Sequence, residues 1–244
     1  MGKAKCDIRI GTSGWHYDHW KELFYPPGLP KSKWFEHYAQ HFDTVEINNT
    51  FYHLPKETSL VRWQEQAPKN FLYAVKANRY ITHIKRLKDV SEEVERFFDR
   101  IGLLKNKLGP VLYQLPPSMR EDLDLLEGFI KLLPKKLPAV FEFRDNSWFS
   151  EDTFKLLNKC NAAFCVHDLV GKETPRVVTT DIVYVRFHGP SGRYRGNYSK
   201  SMLKSWAKWL KDRTKEARSV YAYFNNDVGG HAIKNAKALR EQLS

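Results

Sequence analysis

Carboxylates, imidazoles and guanidiniums recur late in short apolar segments of this sequence, where they could share one site. Glu46 and Asn48 stand two apart in Phe42-Asp-Thr-Val-Glu-Ile-Asn48, and Glu142 and Arg144 repeat that spacing in Ala139-Val-Phe-Glu-Phe-Arg144. In an extended chain, residues two apart project to one face. Lys76 and Gln114 close two further segments, His167 and Asp168 another, Arg186 and His188 another, and Asn225, Asn226 and Asp227 follow the last. Glu46 and Glu142 can form an acid/base pair, as in glycoside hydrolysis, where two carboxylates flank the scissile bond. Pairing of Glu46 with Lys76, and of Glu142 with Arg144 or Arg186, would instead keep both carboxylates ionised and poor as general acids. Glu46, Glu142, His167, Asp168 and His188 are also ligand types for a divalent ion. Their spacing matches no compact metal motif, and Arg144 and Arg186 beside them oppose a cation, so the sequence assigns no metal.

The loop His188-Gly-Pro-Ser-Gly-Arg-Tyr-Arg-Gly-Asn-Tyr198 combines Gly and Pro with two arginines and two tyrosines. Such a loop can approach a ligand closely, with phosphate on Arg193 and Arg195 and a flat ring on Tyr. Other aromatic stretches follow earlier segments: Trp15 to Trp20, Asn49 to His53, Asn78 to His83, and Trp148-Phe149. The expected ligand is therefore a phosphorylated one. Arg144, Arg186, Arg193 and Arg195 would hold the anion, and Glu46 or Glu142 would act as base with His188 as acid or ligand positioner. Trp15, Asn48, Tyr52, Lys76, Asn225 and Asn226 complete the expected binding set.

Residues scattered over 244 positions can meet only if regular elements position them. Eight short segments rich in strand formers begin near Asp7, Phe42, Phe71, Pro110, Ala139, Ala162, Ile182 and Val220. Amphipathic helical stretches fill most intervals: 31–41 with Ser32 as a cap, 58–66, 90–104, 123–133, 152–160, 199–217 and 230–243. Only 168–181 lacks a helical pattern. This alternation predicts a TIM-like (β/α)8 barrel in a single domain, irregular around 168–181. A doubly wound sheet would need a Gly-rich phosphate turn after its first strand, which Gly11-Thr-Ser-Gly14 is too short to supply. In a barrel the late ends of strands form the C-terminal face, where active sites lie.

Composition narrows the class. The 42% hydrophobic content argues for an ordered chain. Three cysteines, none in Cys-x-x-Cys spacing, exclude a disulfide framework and a cysteine metal motif. There is no apolar run long enough to span a membrane, and the first residues lack a signal peptide's apolar segment, so a cytoplasmic protein without a membrane partner is expected. The net charge of +12 steers anions toward the protein and raises non-specific affinity for nucleic acid. Basic clusters at Lys85-Arg-Leu-Lys88, 105–107, 131–136 and 204–218 contribute much of it.

Gly11-Thr-Ser-Gly-Trp15, Asp43-Thr-Val-Glu-Ile-Asn-Asn-Thr-Phe-Tyr52, Phe141-Glu-Phe-Arg144, Phe224-Asn-Asn-Asp227 and Gly230-His-Ala232 occur in order along the chain. In these motifs the sequence resembles the YecE-like family, the domain of unknown function 72, from about residue 8 to 242. The resemblance implies a TIM-barrel-like fold and brings no established reaction. The family's motif positions match Trp15, Glu46, Asn48, Tyr52, Glu142, Arg144, His188, Asn225, Asn226 and His231. The expected function is thus hydrolysis of a phosphorylated ligand: a nucleotide, sugar phosphate or nucleic-acid phosphoester. The alternatives are a carbohydrate-active hydrolase or isomerase using Glu46 and Glu142, and a non-catalytic nucleic-acid-binding module.

Overall fold

Every apolar segment forms a strand in the computed structural model, which describes residues 5–169, 172–192 and 194–243. In chain order the strands are β1 (Asp7–Thr12), β2 (Thr44–Ile47), β3 (Leu72–Lys76), β4 (Leu108–Gln114), β5 (Ala139–Glu142), β6 (Ala163–Leu169), β7 (Lys172–Glu173), β8 (Ile182–Phe187) and β9 (Ser219–Phe224). The helices are α1 (Trp34–His41), α2 (Glu57–Gln66), α3 (Ser91–Ile101), α4 (Leu123–Lys131), α5 (Glu151–Lys159), α6 (Lys200–Arg213) and α7 (His231–Leu243). Three start at side-chain caps: Asp122 accepts from Leu125 N, Ser150 from Thr153 N, and Ser199 from Met202 N. Ser32 does not cap α1. It sits inside a 3-10 turn (Lys31–Lys33) that leads directly into the helix.

The sheet order is β1-β9-β8-β6-β5-β4-β3-β2, and a parallel bridge between Ser13 and Glu46 joins the two ends of that order. This is the strand cycle of a TIM-like α/β barrel. The segment without a helical pattern carries the short β7 instead, antiparallel to the end of β6 with Asp168 opposite Glu173. Thr174 holds that turn: its hydroxyl accepts from His167 N (2.9 Å) and its own N donates to His167 O (3.0 Å). Tertiary contacts group the residues into two compact units whose boundaries fall inside β2 and β6. The first holds the chain up to Glu46, Val166–Arg176 and everything from Asp181; the second holds Ile47–Cys165 and Val177–Thr180.

In the first unit, Tyr25 stacks on Trp34 at 4.4 Å, and the buried Tyr38 hydroxyl accepts from Thr12 N (3.0 Å) and donates to Thr44 O (3.1 Å). Gly11 lies where that packing leaves no room: a Cβ there would stand 2.4 Å from Thr44 O. Gly11→Ala must push two strands apart and is expected to cost about 2–3 kcal/mol, read as a lowered urea midpoint with unchanged slope. A change below about 0.5 kcal/mol would mean that the backbone there yields freely. The second unit is built on aromatic layers, with Phe143 stacked on Trp148 at 4.6 Å and the Trp148 indole donating to Met119 O.

Candidate functional site

Polar side chains gather in each unit. In the first, side chains alternate along β8. Phe187 packs outward on Trp206 of α6 (5.0 Å), so Tyr184, Arg186 and His188 point the other way. Glu46 and Arg186 are 0% and 1% exposed. Glu46 Oε1 accepts from Ser13 Oγ (2.7 Å) and from Arg186 Nη2 (2.7 Å) and Nε (3.2 Å); Oε2 accepts from the Tyr184 hydroxyl (2.6 Å). With these four donor bonds its oxygens have little capacity left for a further partner. Lys76, considered as a partner for Glu46, donates to Gln114 (2.6 Å). Because Ser13 and Glu46 are also the bridge residues between β1 and β2, the ion pair sits at that strand junction.

His188 is buried, with Nδ1 3.3 Å from Asn225 Nδ2 and its ring 5.6 Å from those of His167 and Tyr194. Its loop is pinned. Gly189 N donates to the Tyr198 hydroxyl (3.0 Å), and Asn235 Oδ1 accepts from both Tyr198 N (3.3 Å) and Asn226 Nδ2 (2.9 Å). Asn226 Nδ2 also reaches Gly196 O (2.8 Å), while its buried Oδ1 has no hydrogen-bond partner among the described residues. Gly189 has φ +107°, and a Cβ there would meet Arg195 O at 2.2 Å, so this turn requires glycine. Arg195 is exposed, and Arg193 lies outside the described residues. Trp15 is a packing residue, its ring 5.4 Å from Phe35 and its carbonyl accepting from the Tyr25 hydroxyl. The two histidines near it separate: His16 packs on Trp34 (4.9 Å) and His19 pairs with Asp227 (3.2 Å). Burial pushes the Asp227 carboxyl above its ordinary range.

The second unit gathers cations. Lys76 ends β3, and its Nζ lies 4.2 Å from the Phe51 ring centroid. Gln114, which receives its hydrogen bond, is in register with Glu142 across β4 and β5. Glu142 is fully buried and ion-paired with Arg144. After β3 the chain tightens. Asn78 Oδ1 accepts from Tyr80 N (2.8 Å), its Nδ2 donates to Thr50 O (3.0 Å), and a π-helical turn (Tyr80–Ile84) follows. That turn sets His83 4.9 Å from Phe51, with Nδ1 2.9 Å from the Thr82 hydroxyl. Arg86 and Leu87 then adopt φ of +50° and +67°, a strained left-handed pair, and Arg86 Nη2 reaches Ser118 Oγ (3.2 Å). Burial first, then the charges of Lys76, Arg79, Arg144 and Arg86, push the His83 imidazole down to about 4. At neutral pH it is therefore an uncharged ring among four cations. Asn48, at the end of β2 in the same unit, has a buried Oδ1 with no hydrogen-bond partner among the described residues.

The structure thus distributes the anticipated residues. Lys76, Arg144 and Glu142 fall in the cationic centre; Glu46, Arg186, His188, Asn225 and Asn226 fall in the first unit; Tyr52 stands exposed. Sequence reading did not single out His83, Arg79 or Arg86, nor Ser13, Tyr184 and Asn235, which tie the first centre together. A signal for the first three was present, since Lys76, Arg79, Lys85, Arg86 and Lys88 crowd around His83. Among the described residues no group of three or more His, Cys, Asp or Glu is placed to hold a metal ion, and no helix is long and apolar enough to cross a membrane.

Comparison with known proteins places these features in a family. The family model described as "Protein of unknown function DUF72" matches residues 9–244. UPF0759 protein YunF of Bacillus subtilis is 29% identical over 97% of this chain and 94% of its own length. UPF0759 protein YecE of Escherichia coli is 31% identical over 57% of this chain and 44% of its own. A crystal structure of a DUF72 family protein from Thermotoga maritima superposes with a TM-score of 0.88 at 30% identity, covering 97% of this chain and 99% of the other. A second DUF72 structure, from Enterococcus faecalis, shares the fold at a TM-score of 0.84 and 21% identity, with 97% and 95% covered. With the motifs, the strand order and a family match over nearly its whole length, this chain belongs to the DUF72 (UPF0759, YecE-like) family.

Proposed function

We propose that this protein binds a phosphorylated ligand at the cationic centre formed after β3 and β5, and hydrolyses its phosphoester. The observation that carries this reading is that the half-buried His83 and the Lys76 ammonium both pack on the Phe51 ring, with Arg79, Arg86 and Arg144 close enough to help lower the proton affinity of His83. A dianion placed among these ammonium and guanidinium groups collects charge-assisted hydrogen bonds. Glu142 is ion-paired with Arg144, which suits it to orienting that guanidinium rather than to transferring protons. His83 is too weak a base when the site is empty. A bound dianion raises its proton affinity toward neutrality, the range in which an imidazole takes a proton from the attacking water as the new P–O bond forms and passes it to the alcohol oxygen as the ester P–O bond breaks. The hydrogen-bonded state of Glu46 and the ion pair of Glu142 disfavour the carbohydrate-hydrolase reading, which requires one protonated carboxyl.

Titration calorimetry with inorganic phosphate, sulfate and a panel of phosphomonoesters tests the reading, alongside release of phosphate from those esters. Lys76→Met, Arg79→Met and Arg86→Met are each expected to weaken phosphate binding about fivefold, since each removes a neighbouring charge worth roughly 1 kcal/mol. His83→Gln is expected to abolish phosphate release while ester binding persists. Absence of any anion binding, or binding indifferent to all three charge removals, would refute it. If long nucleic acid binds with a steep salt dependence and no ester is cleaved, the chain is a non-catalytic binding module instead.

A further inference from the structure

The π-turn that presents His83 also builds one wall of a second feature. A cleft of about 560 Å³ lies beside it in the same unit, lined by Tyr52, Tyr80, Ile81, Phe97, Glu93 and Arg96 among others. Its volume is in the range of small-molecule sites. Tyr52 and Tyr80 are 61% and 42% exposed, unusual for rings of that size, and both border the cleft. Ile81 and Phe97 give it a buried apolar floor. Glu93 and Arg96, three apart on α3, supply an acceptor and a donor at its rim.

The link to the cationic centre is short. Tyr52 follows Phe51 directly, with ring centroids 5.0 Å apart. Phe51 touches His83 (4.9 Å) and lies under the Lys76 ammonium (4.2 Å). Tyr80 opens the π-turn whose fourth residue is His83. Cleft and cations therefore share two short turns, so one ligand with a flat ring and an anionic group can reach both.

We infer that the cleft beside Tyr52 and Tyr80 seats the heteroaromatic base of a nucleotide whose phosphate occupies the Lys76–His83–Arg144 centre. The phosphate half rests on the function proposed above; the ring half rests on the cleft alone. Exposed tyrosines stack on any base through its π-face, and the rim pair of Glu93 and Arg96 matches the mixed donor and acceptor edge of a base. A sugar phosphate would leave both rings and this rim unused.

Calorimetry with four probes tests this: adenosine monophosphate, adenosine, ribose 5-phosphate and inorganic phosphate. The monophosphate is expected to bind at least tenfold more tightly than ribose 5-phosphate. Tyr52→Ala and Tyr80→Ala should each weaken the monophosphate by about tenfold and leave ribose 5-phosphate unchanged, while Tyr52→Trp should restore binding. Equal binding of monophosphate and ribose 5-phosphate by the unaltered protein would overturn the inference, as would tyrosine variants that weaken both alike. If inorganic phosphate and ribose 5-phosphate fail to bind, the anion reading falls; adenosine binding lost in Tyr52→Ala then still upholds the ring site, and no adenosine binding sinks it too. A six-nucleotide single strand that outcompetes the monophosphate, with the same dependence on Tyr52, assigns the base to a strand. Weaker binding of the strand assigns it to a free nucleotide.

Discussion

Arg186→Met is expected to lower the free energy of unfolding by about 3–5 kcal/mol, because it leaves the Glu46 charge buried without its counter-ion. Burying two charges is costly, and their mutual attraction offsets that cost only while the geometry and the remaining hydrogen bonds are complete. Here they are complete: Ser13 and Tyr184 occupy the lone pairs that Arg186 does not. The companion variant Glu46→Gln with Arg186→Met removes both charges and keeps an acceptor for Tyr184, so it should recover at least half of the loss. Urea unfolding of the two single variants and the double variant gives the coupling directly. A loss below about 1 kcal/mol for Arg186→Met, or no recovery in the double variant, would show that the pair is solvated rather than structural. Sulfate affinity of a folded double variant should stay within about twofold, because the four cations around His83 are untouched.

The second large effect is a pH dependence of anion affinity that runs against intuition for a neutral histidine. Sulfate suits the measurement because it stays a dianion throughout the range used. His83 takes up its proton only near pH 4 in the empty site, held there by burial and by Lys76, Arg79, Arg144 and Arg86. A bound dianion favours the imidazolium, so binding is accompanied by proton uptake, and affinity rises as pH falls from 7 toward 4. A return of His83 to its ordinary value on binding would raise affinity up to about a hundredfold, with roughly tenfold expected between pH 7 and 5. His83→Gln should flatten the curve. A curve equally steep in His83→Gln would place the responsible proton elsewhere. The same group governs stability of the ligand-free protein. The unfolded chain binds this proton near pH 6.5 and the folded one only near 4. The unfolded state therefore holds more protons between those values. His83's share of stability is complete above pH 6.5 and is lost as pH falls toward 4. Discounted for a half-exposed ring, that share is about 1–2 kcal/mol.

Eight strands and seven helices could be read from the chain because their determinants are local. Phe141 and Phe143 alternating with Glu142 and Arg144 read as a strand, which forms over Ala139–Glu142, and the stripe from Val94 through Phe97 to Ile101 reads as one side of a helix. Even the interval after β6 was legible, as an absence of helical period where the chain adds the short β7. The motifs in β1, β2, β5 and after β9 were enough to suggest the family.

The pairing of Glu142 with Arg144, two residues away, was legible; the long-range partnerships were not. Glu46 and Arg186 are 140 residues apart, and whether Arg186 or Lys76 meets that carboxylate depends on strand register and side-chain reach, which no local pattern encodes. Arg186 therefore read as an anion ligand in the sequence and is half of a buried ion pair in the fold. His83 shows the reverse. Its sequence neighbourhood is merely basic and aromatic; a π-turn and two left-handed residues bring its neighbours to one point. Residue order alone determined the elements, the net positive charge and the polar residues at strand ends, since periodicity and composition do not depend on which distant residues meet. Only the tertiary structure decided which distant charges meet, because electrostatic energy depends on distances in space that sequence separation does not set.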